Sequence, residues 1–320
     1  MAKKIYFYVD DHIWTLRKLA KNKPASLFDE PYFAMLKEAH DKYGMKVQLN
    51  LFYQTEESYR DGVFDFGDDD SMFTLADVPD TYKAEWEANS DWLKLAWHGT
   101  KEYPDFLYLN IPYEDMKESY MKVKNEILRF AGEKSLIEAI TVHWLPVSKE
   151  GVKALYDCGV RILNSSTGDA YDYDPETTVI HHEAWRETFL KNRQPETKCY
   201  DTVVGGIYNQ TMFCAYNHIP ADAENNRKGT FDIIKDEETG MYFKRFSTGI
   251  CLNICPLEDL PAMYEDQLKY DYVCVGSHEQ YFNKEYMNYQ PDTTEKFHSM
   301  AKFFHDNGYE FFFVDEIIKQ

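Results

Sequence analysis

Short apolar runs recur along the chain at 5–9, 46–52, 92–97, 138–142, 160–163, 249–253, 271–275 and 310–314, and stretches with helical periodicity separate them. Continuous apolar runs suit strands buried on both faces, and parallel strands need crossover helices between them. The alternation therefore predicts an α/β fold, a distorted (β/α) barrel of about seven parallel strands, as a single domain over 1–320. Helices are expected over 30–43, 80–90, 113–131, 148–156, 257–269 and 293–307. Gly44, Gly159 and Gly308 stand where such helices have to turn or stop, and Ser148 stands where one has to be capped.

The rhythm breaks between about 165 and 248 into polar and aromatic text, too long for an ordinary loop. We read it as a mixed α+β insertion that builds one wall of the site, with short antiparallel strands at 178–180 and 240–243. Internal repeats and low-complexity linkers are absent.

Composition removes several classes of function. Lys+Arg 35 against Asp+Glu 55 leaves a net charge of -20, a field that repels nucleic acid and other polyanions. No apolar stretch is long enough to cross a bilayer, and the first residues enter a strand-like run at once, so a cytoplasmic location without membrane contact is expected. Six scattered cysteines form no CxxC pair and are expected to be reduced and mostly buried. Nothing in the pattern selects an oligomeric state.

In a parallel α/β barrel the active site lies at the carboxyl ends of the strands, so polar residues there are the candidates. Four strand ends carry them: Asp10-Asp11-His12, His98, His143, and Gly276-Ser277-His278-Glu279. Each alone has an ordinary structural reading, a hydrogen-bonded histidine or a solvated turn. Together, carboxylate and imidazole groups from different strands make a site for a divalent metal with a second carboxylate free to act as a base. Tyr281, just beyond, offers a flat face for a sugar ring or for packing. The acidic run Asp68-Asp69-Asp70 lacks the spacing of a calcium loop and reads as solvated. His181-His182 reads as a helix start.

Val9-Asp10-Asp11 after an apolar strand resembles the first motif of the polysaccharide deacetylases, the NodB-homology carbohydrate esterases, where Asp-Asp supplies a catalytic base and then a metal ligand. His98-Gly99-Thr100-Lys101-Glu102 is similar to the second motif, with Glu where the family has a second His. The run 273–278 is similar to the last motif, whose His donates a proton to the leaving group. The chain departs from the family at Trp144-Leu145-Pro146-Val147, where the family has Arg-x-Pro-aromatic, and His143 immediately precedes that segment. The fourth motif has no clean counterpart, although Asn164-Ser165-Ser166 and Asp169 lie in its region. The resemblance covers 5–163 and 249–317.

The resemblance implies a metal-dependent hydrolase that removes an N- or O-linked acetyl group from a small saccharide or glycoconjugate. Asp10 and His278 would be catalytic, and Asp11, His98 and Glu102 would hold a divalent metal, zinc first, with manganese, cobalt or nickel as alternatives. His143, Trp144, Glu279 and Tyr281 would be additional ligands or substrate contacts. Two alternatives stay open: a glycoside or non-peptide C–N hydrolase on the same barrel, and a catalytically degenerate carbohydrate-binding protein.

Overall fold

β1 (Lys3–His12) organises the first sheet. Ile5, Tyr6, Phe7 and Val9 are fully buried, and a strand with apolar groups on both faces has to lie inside a sheet covered on both sides. It pairs in parallel with β9 (Tyr272–His278) along one edge, with β2 (Val47–Phe52) at its carboxyl half and with β10 (Tyr309–Phe311) at its amino half. β3 (Leu93–Gly99) continues the sheet beyond β2, and β8 (Gly249–Cys251) lies beyond β9. The expectation of a parallel-strand α/β fold is met.

The computed structural model describes residues 3–55, 72–102, 107–108, 111–143, 147–166, 231–246, 249–286 and 288–318. The segments read above as Asp68-Asp69-Asp70, Trp144, Asp169, a strand at 178–180 and His181-His182 lie outside the described residues. The chain divides into two compact units. One comprises Met1–Lys101, Lys122–Ile137 and Ile250–Gln320, the other Glu102–Met121 and Glu138–Gly249.

In the first unit α1 (Trp14–Asn22) follows β1, and α2 (Pro31–Tyr43) leads to β2. Pro31 opens α2, the Glu30 carboxylate accepts from the Tyr32 N–H at 2.8 Å, and Gly44 closes it at φ 67°. Its inner face carries Tyr32, Phe33, Met35, Leu36 and Ala39. Phe297 on α7 (Thr293–Asp306) meets Phe7 edge-on at 5.1 Å and Tyr32 at 6.4 Å, which sets α2 and α7 against β1. Each such buried aromatic stabilises by roughly 1.5–3 kcal/mol. The expected helices at 80–90 and 257–269 are shorter, α3 (Lys83–Ala88) behind a 3-10 turn and α6 (Leu260–Gln267), while that at 113–131 is α4 (Tyr113–Phe130). No helix among the described residues is long and apolar enough to cross a membrane.

The second unit holds a four-stranded sheet in the order β4 (Ala139–Ile140), β5 (Ile162–Ser166), β7 (Tyr242–Phe246), β6 (Phe231–Lys235). β5 is parallel to both β4 and β7, and only β6 with β7 is antiparallel. Of the two short antiparallel strands expected at 178–180 and 240–243, the second corresponds to β7, whose antiparallel partner is β6 and which continues the sheet of β4 and β5. Ser148 caps α5 (Lys149–Asp157), its Oγ accepting from the Gly151 N–H at 2.9 Å. Cys158, Cys251, Cys255 and Cys274 are all unbridged, as expected; only Cys274 is buried, which corrects the expectation for the other three. Cys199 and Cys214 lie outside the described residues.

Glu30 makes one part of the fold sensitive to pH. Burial raises its carboxyl to about 7, against the opposing effect of the Tyr32 and Phe33 N–H groups, and the nearby Glu279 adds to the rise. The folded state thus holds a proton that the unfolded chain releases near pH 4.5. The associated stability is fully present below that pH and is lost as pH rises through about 7. In urea titrations from pH 4 to 8, Glu30→Gln is expected to abolish a decline of up to about 3 kcal/mol in the wild type. Parallel pH profiles for the two proteins would contradict this.

Candidate metal and catalytic centre

Successive side chains on a strand point to opposite faces, so Asp10 and Asp11 should not share a site. They do share one, because β1 is irregular there. Val9 pairs with Leu49 and His12 with Leu51, so three steps on β1 face two on β2. Asp11 takes up the excess at φ 58°, a left-handed conformation that aspartate tolerates at a cost of about 1–2 kcal/mol. The bulge brings both carboxylates to the carboxyl end of the sheet.

Neighbouring strands supply their partners. Asn50, on β2, donates from Nδ2 to Asp10 Oδ1 at 2.6 Å, and Gln48 donates in turn to Asn50 Oδ1 at 2.7 Å. His98, near the end of β3 and 3% exposed, has Nε2 3.2 Å from Asp11 Oδ1 and Nδ1 3.8 Å from Asp10 Oδ1. His278 pairs with Asp10 in the β1–β9 register, and its Nε2 lies 3.9 Å from Asp11 Oδ2. Gln280 donates from Nε2 to the same oxygen at 2.9 Å. Asp10, Asp11, His98 and His278, named from sequence, are thus brought together within the first unit.

Burial raises the Asp10 carboxyl above the ordinary range, against His98 and His278, while neighbouring Asp11 adds to the rise. For His278 burial acts downward, but the Cys251 thiol, Asp11 and Asp10 outweigh it and hold the imidazolium well above its usual value. Cys251 Sγ is 3.7 Å from His278 Nδ1. Asn253 Oδ1 accepts from the His278 backbone N–H at 3.1 Å and from Nδ1 at 3.0 Å. A backbone N–H can only donate, so the amide atom there is the oxygen, Nδ1 carries a proton, and Nε2 faces the aspartates.

The donor set fits a divalent ion. Metal–ligand bonds of about 2.0–2.2 Å at a tetrahedral angle place adjacent donors roughly 3.3 Å apart. Asp11 Oδ1 and His98 Nε2 stand 3.2 Å apart.

Other residues named from sequence fall elsewhere. Glu279 is fully buried and accepts the N–H groups of Ile13, Trp14 and Thr15, with His12 Nδ1 3.5 Å away, so its oxygens serve the start of α1 and do not face the aspartates. Tyr281 lies edge-on to His278 at 6.4 Å and to Tyr286 at 5.2 Å. In the second unit, His143 is buried with Nε2 3.0 Å from the Glu102 carbonyl oxygen and 3.9 Å from its carboxylate, which is part-exposed. A carbonyl oxygen only accepts, so Nε2 is protonated. Asn50, Gln280, Asn253 and Cys251 were not anticipated as partners of the site. Gln48 and Asn50 had a readable signal, as polar side chains two apart in an otherwise apolar strand.

No family model matches the chain, and no curated protein matches it. Among solved structures, the chain is similar over its whole length to a 4-alpha-glucanotransferase from Thermococcus litoralis, at a TM-score of 0.52 and 12% identity, and spans 41% of that chain. A family 4 acetyl xylan esterase from Clostridium thermocellum, in complex with cobalt, matches 99% of the chain and 91% of its own at 12% identity and a TM-score of 0.39. Agd3, a carbohydrate deacetylase, matches 99% of the chain and 53% of its own at 10% identity and a TM-score of 0.46. At such identities the first likeness is one of fold, and the other two say no more.

Asn50→Leu removes the donor to a buried carboxylate while keeping the volume. It is expected to lower stability in urea by about 1–3 kcal/mol at pH 8. A midpoint unchanged from wild type would mean that Asn50 does not hold Asp10.

Proposed function

We propose that the chain is a divergent, metal-dependent hydrolase of a deacetylase-like barrel, releasing acetate from an N- or O-acetylated saccharide or small glycoconjugate. The observation that carries the reading is the convergence of Asp10, Asp11, His98 and His278 at the ends of three parallel strands, with Asp11 and His98 at the spacing of adjacent ligands.

Asp11 and His98, both buried and at the spacing of adjacent ligands, would hold the ion. A bound divalent ion supplies a polarised acetyl carbonyl and a water of lowered pKa. Asp10, held by Asn50, accepts the proton of the attacking water. His278, protonated on Nδ1 toward Asn253, delivers a proton from Nε2 to the departing amine or hydroxyl. Gln280 fixes the rotation of the Asp11 carboxylate. Tyr281 offers a ring beside His278 for the sugar.

Glycosidic cleavage or transfer is the second reading, favoured by the shared fold with a 4-alpha-glucanotransferase. The two readings differ in product.

Purified protein incubated with zinc, manganese, cobalt or nickel is expected to retain one equivalent by elemental analysis. Asp11→Ala and His98→Ala should lose it. Absence of metal in the wild type would overturn the reading. Against chitooligosaccharides and acetylated xylosides, Asp10→Asn should keep the metal while acetate release falls about 10²–10⁴-fold. Undiminished release would remove Asp10 from the base role, and reducing sugar without acetate would select glycosidic chemistry.

A further inference from the structure

Glu279 stands immediately after His278, yet its carboxylate is turned to the other end of the chain. It receives the backbone N–H of Ile13 at 2.7 Å and of Trp14 at 2.9 Å on Oε2, and that of Thr15 on Oε1. These are the first donors of α1, whose own N-cap residue, Ile13, has no side chain able to accept. Ile13 is two residues beyond Asp11, where the chain leaves its left-handed kink at φ 58°. Two further contacts join the same segments. Gln280 donates to Asp11 Oδ2 at 2.9 Å, and Lys18 on α1 pairs with Glu285 at 2.8 Å. The stretch 279–285 thus clasps the stretch 11–18 at three places, and Glu279 makes the innermost and most buried grip.

We propose that Glu279 is a positioning residue for the site: by fixing the start of α1 it keeps Asp11 in its kinked conformation and holds the Asp11 carboxylate against His98. A kinked non-glycine residue persists only when its surroundings over-determine it. Backbone N–H groups held on a buried carboxylate are a stiff restraint, because releasing them would leave both donors and charge desolvated. Without the grip, Asp11 relaxes toward an ordinary strand or helix conformation and its carboxylate leaves the 3.2 Å spacing with His98 Nε2. This inference rests on the metal-site reading for its consequence, but not for its geometry.

Glu279→Gln keeps the shape but replaces one accepting oxygen with an NH₂ group that repels the N–H donors. Crystal structures of wild type and Glu279→Gln, with isothermal titration of cobalt(II), test the inference. Ser26→Ala, which removes the hydroxyl accepting the Phe28 N–H at 3.1 Å, serves as a capping control remote from the site. The expected result is a displaced Asp11 carboxylate and at least tenfold weaker cobalt binding in Glu279→Gln, with neither change in Ser26→Ala. An Asp11–His98 spacing and cobalt affinity unchanged from wild type would overturn the proposal. If the wild type binds no cobalt, the hydrolase reading fails, and the position of Asp11 in the two crystal structures still decides this one. If Glu279→Gln does not fold, Glu285→Gln at the outer, part-exposed pair takes its place. A two- to threefold loss of cobalt affinity, or a displaced Asp11 where the wild type binds none, is then expected, and the absence of that change overturns the proposal.

Discussion

A carboxylate taken out of water has to be met by donors, and the end of β1 places two side by side. Much of the first unit is arranged to meet them. Asn50 comes from β2, His98 from β3, His278 from the end of β9 and Gln280 from the turn beyond it. These partners arrive from separate strands, so the parallel register decides whether the carboxylates are satisfied. Glu30 and Glu279 pose the same problem and solve it differently, since both accept backbone N–H groups at helix starts. Burial of acidic groups and construction of the site are therefore one structural task.

The bulge in β1 is what makes the pair a pair. In a regular strand Asp11 would face away from Asp10, and His98 could reach only one of them. The extra step and the positive φ at Asp11 turn both toward the same end of the sheet. That conformation is uphill, and it is retained because the chain on its far side is tied into α1 and α1 is tied to Glu279. Local strain at the site is offset by contacts from a turn more than two hundred residues away in the chain.

Long-range capping also explains where the sequence could and could not be read. The strand rhythm and glycine stops were legible because they are local: β2, β3, β9, α2 and α7 fall within a few residues of their expected bounds, and Gly44 and Gly308 carry φ of 67° and 77°. The strand-end rule likewise picked out Asp10, Asp11, His98 and His278. α1 was not anticipated, because its first residues carry no cap of their own and borrow one from Glu279. For the same reason Glu279 read as a further ligand, when its neighbours in space are amides. Asn253 and Gln280 are ordinary polar residues in turns, and only the register of β8 and β9 brings them to His278 and Asp11. Asn50 was within reach of the sequence, since a strand buried at every position admits a polar side chain only where another polar group meets it.

Adjacent carboxylates in one site can carry separate roles only if their surroundings differ, and here they do. Asp10 is held by a neutral amide, and burial biases it toward the protonated form. Asp11 faces two imidazoles through its two oxygens, and Gln280 donates to one of them. His278 completes the division, because Asn253 fixes its Nδ1 proton while Cys251 and the aspartates favour the charged ring. Three titratable groups at one end of the sheet are therefore given different surroundings by the strands that carry their partners. Residue type did not separate Asp10 from Asp11; the strands on either side of them do.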